Sequence, residues 1–102
     1  SAYVDLNYKN GVIIFRILQE FFSNTIKHSR AEKLYVTLNF NNPELLIIAK
    51  DNGVGFIEEN SNTGLGLKNM QNRANLIGAD LEIISTKEEG TCLKLKYNIK
   101  EI

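Results

Sequence analysis

The sequence predicts an α+β fold: a two-layer sandwich in which helices cover one face of a mixed, mostly antiparallel sheet. Three observations predict it. Two stretches, about Gly11 to His28 and Leu67 to Ile77, carry apolar residues at helical spacing. Other stretches alternate apolar with polar residues, as half-buried strands do. Between two of those lies Asn42-Pro43, a dipeptide suited to a hairpin turn.

In chain order, a short strand is expected near Tyr3 to Leu6, followed by the first helix. Projected at 3.6 residues per turn, Ile14, Phe15, Leu18, Phe21, Phe22 and Ile26 gather on a side that should face the core. Arg16, Glu20, Ser23, Asn24 and Lys27 gather opposite. The next strand runs from about Lys33 to Asn41, with Leu34, Val36, Leu38 and Phe40 on its buried face. After the turn, Glu44 to Asp51 forms a strand that puts Asp51 on the same face as Leu45, Ile47 and Ala49. Phe56 to Thr63 is polar and without helical period, so it is a connection. Gly64 and Gly66 then stand just before a helix whose apolar residues Leu67, Met70, Ala74 and Ile77 are spaced three, four and three apart. Gly78 is its stop signal. Strands around Asp80 to Thr86 and Thr91 to Ile99 complete the order, with Leu93, Leu95, Tyr97 and Ile99 on one face.

At 102 residues and 43% hydrophobic, the chain has material for one core, so residues 1–102 form a single domain. Twelve basic and twelve acidic residues cancel, which gives no field to recommend nucleic acid or an anionic membrane as partner. No apolar run is long enough to cross a bilayer. A single cysteine, Cys92, excludes an internal disulfide and fits a reducing cytoplasm.

The chemistry concentrates in three places. Asp51 aims a carboxylate at an apolar face, where it needs a donor. A ligand is one candidate for that donor, although Asp51-Asn52-Gly53 taken alone reads better as a turn. Gly64 and Gly66 precede a helix N-terminus, where unpaired N–H groups favour an anion such as phosphate, or else simply allow flexible entry into the helix. Glu20 and Asn24, one turn apart, can reach one point outside the first helix, and a neutral Asn oxygen suits Mg²⁺. An ordinary solvated helix face is the alternative there.

Taken together, Glu20-x-x-x-Asn24-x-x-Lys27-His28, Asp51-x-Gly53-x-Gly55, Gly64-x-Gly66-Leu67 and Gly90-Thr91 resemble the four motifs of the Bergerat-type ATP-binding fold. DNA gyrase, heat-shock chaperones, MutL-type repair proteins and sensor histidine kinases share that fold. Gln19 to Ser29 and Gly64 to Ala74 most resemble the sensor kinases of two-component signalling. The resemblance spans nearly the whole chain, and four motifs in the right order are more specific than any one.

The resemblance implies an ATP and Mg²⁺ site. Asp51 would accept from the adenine amino group, Asn24 would hold Mg²⁺, and the N–H groups of Gly64, Leu65, Gly66 and Leu67 would cradle phosphates. Lys27, His28, Gly53, Gly55 and Thr91 complete the implied ATP-binding set, and Phe56 to Thr63 would be a short lid. Glu20 and Asn24 are the implied catalytic pair, with Glu20 orienting metal-bound water or the acceptor. By the same resemblance the γ-phosphate goes to a histidine on a separate dimerisation domain, outside these 102 residues, and then to a response regulator. His28 is therefore not the acceptor; it orders the helix end or approaches phosphate, unless it is a simple C-terminal cap. The alternatives are an anti-sigma-type serine kinase and a regulatory module that binds nucleotide without transferring phosphate. A gyrase or chaperone ATPase would need insertions for which this chain has no room.

Overall fold

The computed structural model describes residues 7–29, 32–41, 43–53, 61–86 and 90–99. The strand expected near Tyr3 to Leu6, Asn42 of the turn, Gly55 and residues 56–60 of the polar connection lie outside them.

Helix α1 (Tyr8–Asn24) starts earlier than Gly11 because Asn7 caps it: the Asn7 side chain accepts from the N–H groups of Lys9 at 2.8 Å and Asn10 at 3.3 Å. Those are two of the donors that a helix start leaves unpaired. After Asn24 the helix widens into a π-turn, Thr25–Ser29. Such widened turns are rare and frequently functional.

Strands β1 (Leu34–Asn41) and β2 (Glu44–Asp51) form the hairpin, helix α2 (Ser61–Leu76) follows, and β3 (Asp80–Thr86) pairs with β4 (Gly90–Asn98). The sheet order is β1-β2-β4-β3, and every pairing among these strands is antiparallel. The Ile99 N–H donates to Pro43 O at 2.9 Å, tying the end of β4 to the hairpin.

Two layers result, as expected. Leu45, Ile47 and Ala49 of β2 and Leu93, Leu95 and Tyr97 of β4 meet Ile14, Ile17 and Phe21 of α1 and Met70 and Ala74 of α2. On the other face Asp80 stands opposite Lys96 and Glu82 opposite Lys94, pairs that favour an exposed antiparallel surface.

Three expectations need correction. The buried stripe of α1 is Ile14, Ile17, Phe21 and Asn24. Packing against α2 and the sheet turns Ile17 and Asn24 inward, which carries Phe15 and Ile26 round to solvent, 61% and 83% exposed. Strand β1 is exposed along its whole length, although Leu34, Val36, Leu38 and Phe40 share the parity of the core face. Among the described strands it is the outermost, and the described helices cover the inner ones.

The third correction concerns α2, which begins at Ser61, three residues before Gly64. Nothing in Ser61-Asn62-Thr63 breaks a helix, and small polar residues suit a helix start. Its end is as expected. Gly78, at φ +69°, donates to Asn75 O at 3.2 Å, and Ala79 N–H reaches Ala74 O at 2.9 Å. These two bonds make a Schellman cap.

Candidate functional site

Asp51 ends β2 with no exposed surface, and the chain surrounds its carboxylate with donors. Oδ1 accepts from Gly53 N–H at 2.9 Å and Thr91 N–H at 3.1 Å, and Oδ2 accepts from the Thr25 hydroxyl at 3.0 Å. Three donors come from three elements. An ionised carboxylate offers about four lone-pair positions, so the donors among the described residues leave room for a further one. Gly90 makes the clasp possible. At φ +90° it passes so close to Asp51 that a Cβ would stand 2.3 Å from Asp51 O and 2.7 Å from Oδ1.

Thr91 is buried, and its hydroxyl lies 3.2 Å from that of Ser85 on the neighbouring strand. It thus serves Asp51 through its backbone. Asn52 fixes the next residue of the chain, because its side-chain oxygen accepts from Glu32 N–H and Lys33 N–H, each at 2.9 Å.

The second cluster sits where α1 and α2 touch. A Cβ on Gly66 would be 3.0 Å from Glu20 Oε2 and 3.4 Å from Asn24 Nδ2, so the bare glycine is what lets the helices approach there. Asn24 is only 7% exposed, and its Nδ2 has no hydrogen-bond partner among the described residues. Leaving a buried polar group unpaired costs about 1–3 kcal/mol, so it marks a position built for something else. A half-turn of the amide would present Oδ1 instead.

Glu20 and Asn24 are hard oxygen donors one turn apart. They fit Mg²⁺, which takes few protein ligands and fills its octahedron with phosphate oxygens and water. Among the described residues no group of three or more His, Cys, Asp or Glu side chains is placed to hold a metal alone. Thr25 follows Asn24 directly, so one peptide joins this cluster to the Asp51 clasp.

The residues expected to cradle phosphate do not all fall in the first turn of α2, because that helix starts early. The four N–H groups that a helix leaves unpaired belong here to Ser61–Gly64, so Leu65, Gly66 and Leu67 lie within the following turn. Gly66 contributes close approach, and Leu67 packs against the core. Lys27 is exposed on the π-turn, and Lys68 is exposed on α2. The His28 side chain and Gly55 lie outside the described residues.

Sequence reasoning missed Thr25 and Asn52 as partners of the site. Its only signal for Thr25 was a hydroxyl beside Asn24. It also missed a polar cleft of about 390 Å³ further along the α1–α2 seam, lined by Arg16, Gln19, Glu20, Ser23 and Arg73. Among the described residues no helix is long and apolar enough to cross a membrane.

Comparison with known proteins gives three kinds of match. The model of a family described as histidine kinase-, DNA gyrase B-, and HSP90-like ATPase matches residues 10–101. The sensor protein VraS of Staphylococcus aureus (strain COL) is 43% identical over 84 residues, covering 81% of this chain and 24% of that protein. VraS of Staphylococcus haemolyticus matches to the same extent, 43% over 84 residues, 81% and 24%. The chain thus spans about a quarter of the length of these curated relatives.

Among solved structures, the histidine kinase domain of the Erythrobacter litoralis blue-light activated kinase superposes with a TM-score of 0.76 at 21% identity. That match covers 94% of this chain and 48% of that one. The histidine kinase AdeS of Acinetobacter baumannii gives 0.72 at 19%, covering 87% and 47%. At such identities these two show a shared fold.

Proposed function

Because the chain belongs to the histidine kinase-, DNA gyrase B- and HSP90-like ATPase family, we propose that it is the nucleotide-binding part of a two-component sensor kinase. It binds MgATP and presents the γ-phosphate to a histidine on a dimerisation domain of the same parent, which passes it to a response regulator. The relatives named as sensor proteins favour this reading over an anti-sigma serine kinase.

The observation that carries it is Asp51. A fully buried carboxylate with three fixed donors and room for a fourth is a preorganised acceptor for an exocyclic amine such as that of adenine. From there the nucleotide runs along α1 to Asn24 and Glu20. Asn24 would hold Mg²⁺ there, with Glu20 beside it; bound Mg²⁺ supplies charge neutralisation of the phosphates. The N–H groups at the start of α2 receive phosphate oxygens, and Gly66 keeps that helix close to Glu20 and Asn24. The chain's own work in phosphoryl transfer is positioning and neutralisation.

Asp51→Asn tests the assignment. It removes one charge-assisted hydrogen bond to the ligand, worth ~1.5–3 kcal/mol, so ATP and ADP affinity should fall roughly ten- to a hundredfold. Calorimetry showing unchanged affinity in a folded variant would sink the reading. Asn24→Ala should weaken binding of ATP with Mg²⁺ more than binding of ADP without it.

A further inference from the structure

The cleft of about 390 Å³ between α1 and α2 contains two guanidinium groups, Arg16 and Arg73, and one carboxylate, Glu20. Neither arginine makes an ion pair with a described residue. This holds although Arg16 stands one helical turn from Glu20, because that order of charges along a helix is the weaker one for pairing. The cleft therefore keeps an excess of one positive charge, with donors on both walls and Gln19 and Ser23 as its neutral polar lining.

Its position along α1 selects the occupant. Thr25 touches Asp51, Asn24 comes next, and Glu20 and Arg16 follow at about 6 Å and 12 Å further along the axis. On the nucleotide-binding reading given above, the base lies at Asp51 and the terminal phosphate near Glu20. Arg16 and Arg73 then lie beyond the phosphate, on the side from which an acceptor must come.

We infer that this cleft docks an acidic segment of the phosphate-accepting domain, with Asp or Glu carboxylates held by Arg16 and Arg73. The chain spans 24% of the length of its curated relatives, so three-quarters of such a protein is available to supply that segment. Planar guanidinium groups suit carboxylates, and two of them holding one acidic strip fix its register as well as its attraction. Glu20 between them repels a carboxylate that strays toward the phosphate. The interaction steers the encounter, so it acts on the rate and its salt dependence more than on nucleotide affinity.

The test uses the full-length parent kinase with Arg16→Glu, Arg73→Glu and the milder Arg16→Gln and Arg73→Gln. For each, the initial rate of phosphate incorporation from labelled ATP is measured against ionic strength, with ATP and ADP affinities by calorimetry and a thermal melt. The inference expects a rate loss on the order of tenfold for each reversal and less for each Gln. ATP and ADP affinities should stay unchanged, and the salt dependence should flatten. Unchanged rates in folded variants would overturn it. So would a loss of ATP affinity with ADP affinity intact, because the cleft would then serve the terminal phosphate itself. A wild-type parent that binds ATP and takes up no label would refute the kinase reading, and the docking role with it. That result is distinct, because it precedes any comparison of variants.

Discussion

Replacing Thr25 by Val keeps the volume and removes one of three donors from a buried carboxylate. Hydrogen bonds to charged groups contribute about 1.5–3 kcal/mol, so urea denaturation should show a loss of that order, and Thr25→Ser should recover most of it. Equal stability of the Val and Ser variants would mean that the hydroxyl is incidental. At Gly90 the constraint is backbone. An Ala there combines a φ of +90° with a 2.3 Å approach to Asp51 O, so Gly90→Ala should lose more than about 1–3 kcal/mol and nucleotide binding together. Of these residues the sequence exposed Asp51 and the glycines, because their unusual placement is visible in one dimension. It hid Thr25, whose partner lies 26 positions away, and it put Asn24 on the wrong side of its helix. Grouping residues by polarity assigns an Asn to solvent. A site that needs a polar atom inside the core breaks that rule where function resides.

The contact between α1 and α2 depends on a missing side chain. In Gly66→Ala the new methyl meets the end of the flexible Glu20 side chain at 3.0 Å, which can shift, so the fold should survive with a modest change in melting temperature. Glu20 and Asn24 would move with it, and binding of ATP with Mg²⁺ should weaken measurably. Retention of full affinity would separate this helix contact from the site. Strand β1 makes the opposite case. Its alternation predicted a strand correctly, yet alternation carries no information on whether a helix covers the apolar side. Leu34, Val36, Leu38 and Phe40 therefore looked like core and lie exposed, from 40% to 67%. Leu38→Lys should be neutral within about 0.5 kcal/mol for the folded chain, as surface changes usually are, and urea denaturation would check it.

For the whole molecule, the isolated chain is expected to bind labelled ATP without acquiring acid-labile phosphate. Its single histidine, His28, falls in the π-turn after Asn24, on the element that would hold the nucleotide, whereas phosphoryl transfer needs an acceptor in line with the γ-phosphorus. Stable label on His28 would overturn that view. The α+β class, the order of the four described strands and the Gly78 stop were legible because period, turn chemistry and caps are local properties. The rotation of α1 and the exposure of β1 were not, since both are fixed by what the rest of the chain leaves available. The Asp51 clasp has a temporal consequence as well. Thr91 reaches Asp51 across 40 residues of chain, and Thr25 reaches it across 26, so closing those loops is entropically the late part of the problem. Helix α1 and the β1–β2 hairpin can form while the carboxylate is still unclasped. During refolding the Thr91 amide should thus gain protection from hydrogen exchange after the amides of α1, and a chain emerging from the ribosome cannot hold nucleotide until β4 has been made.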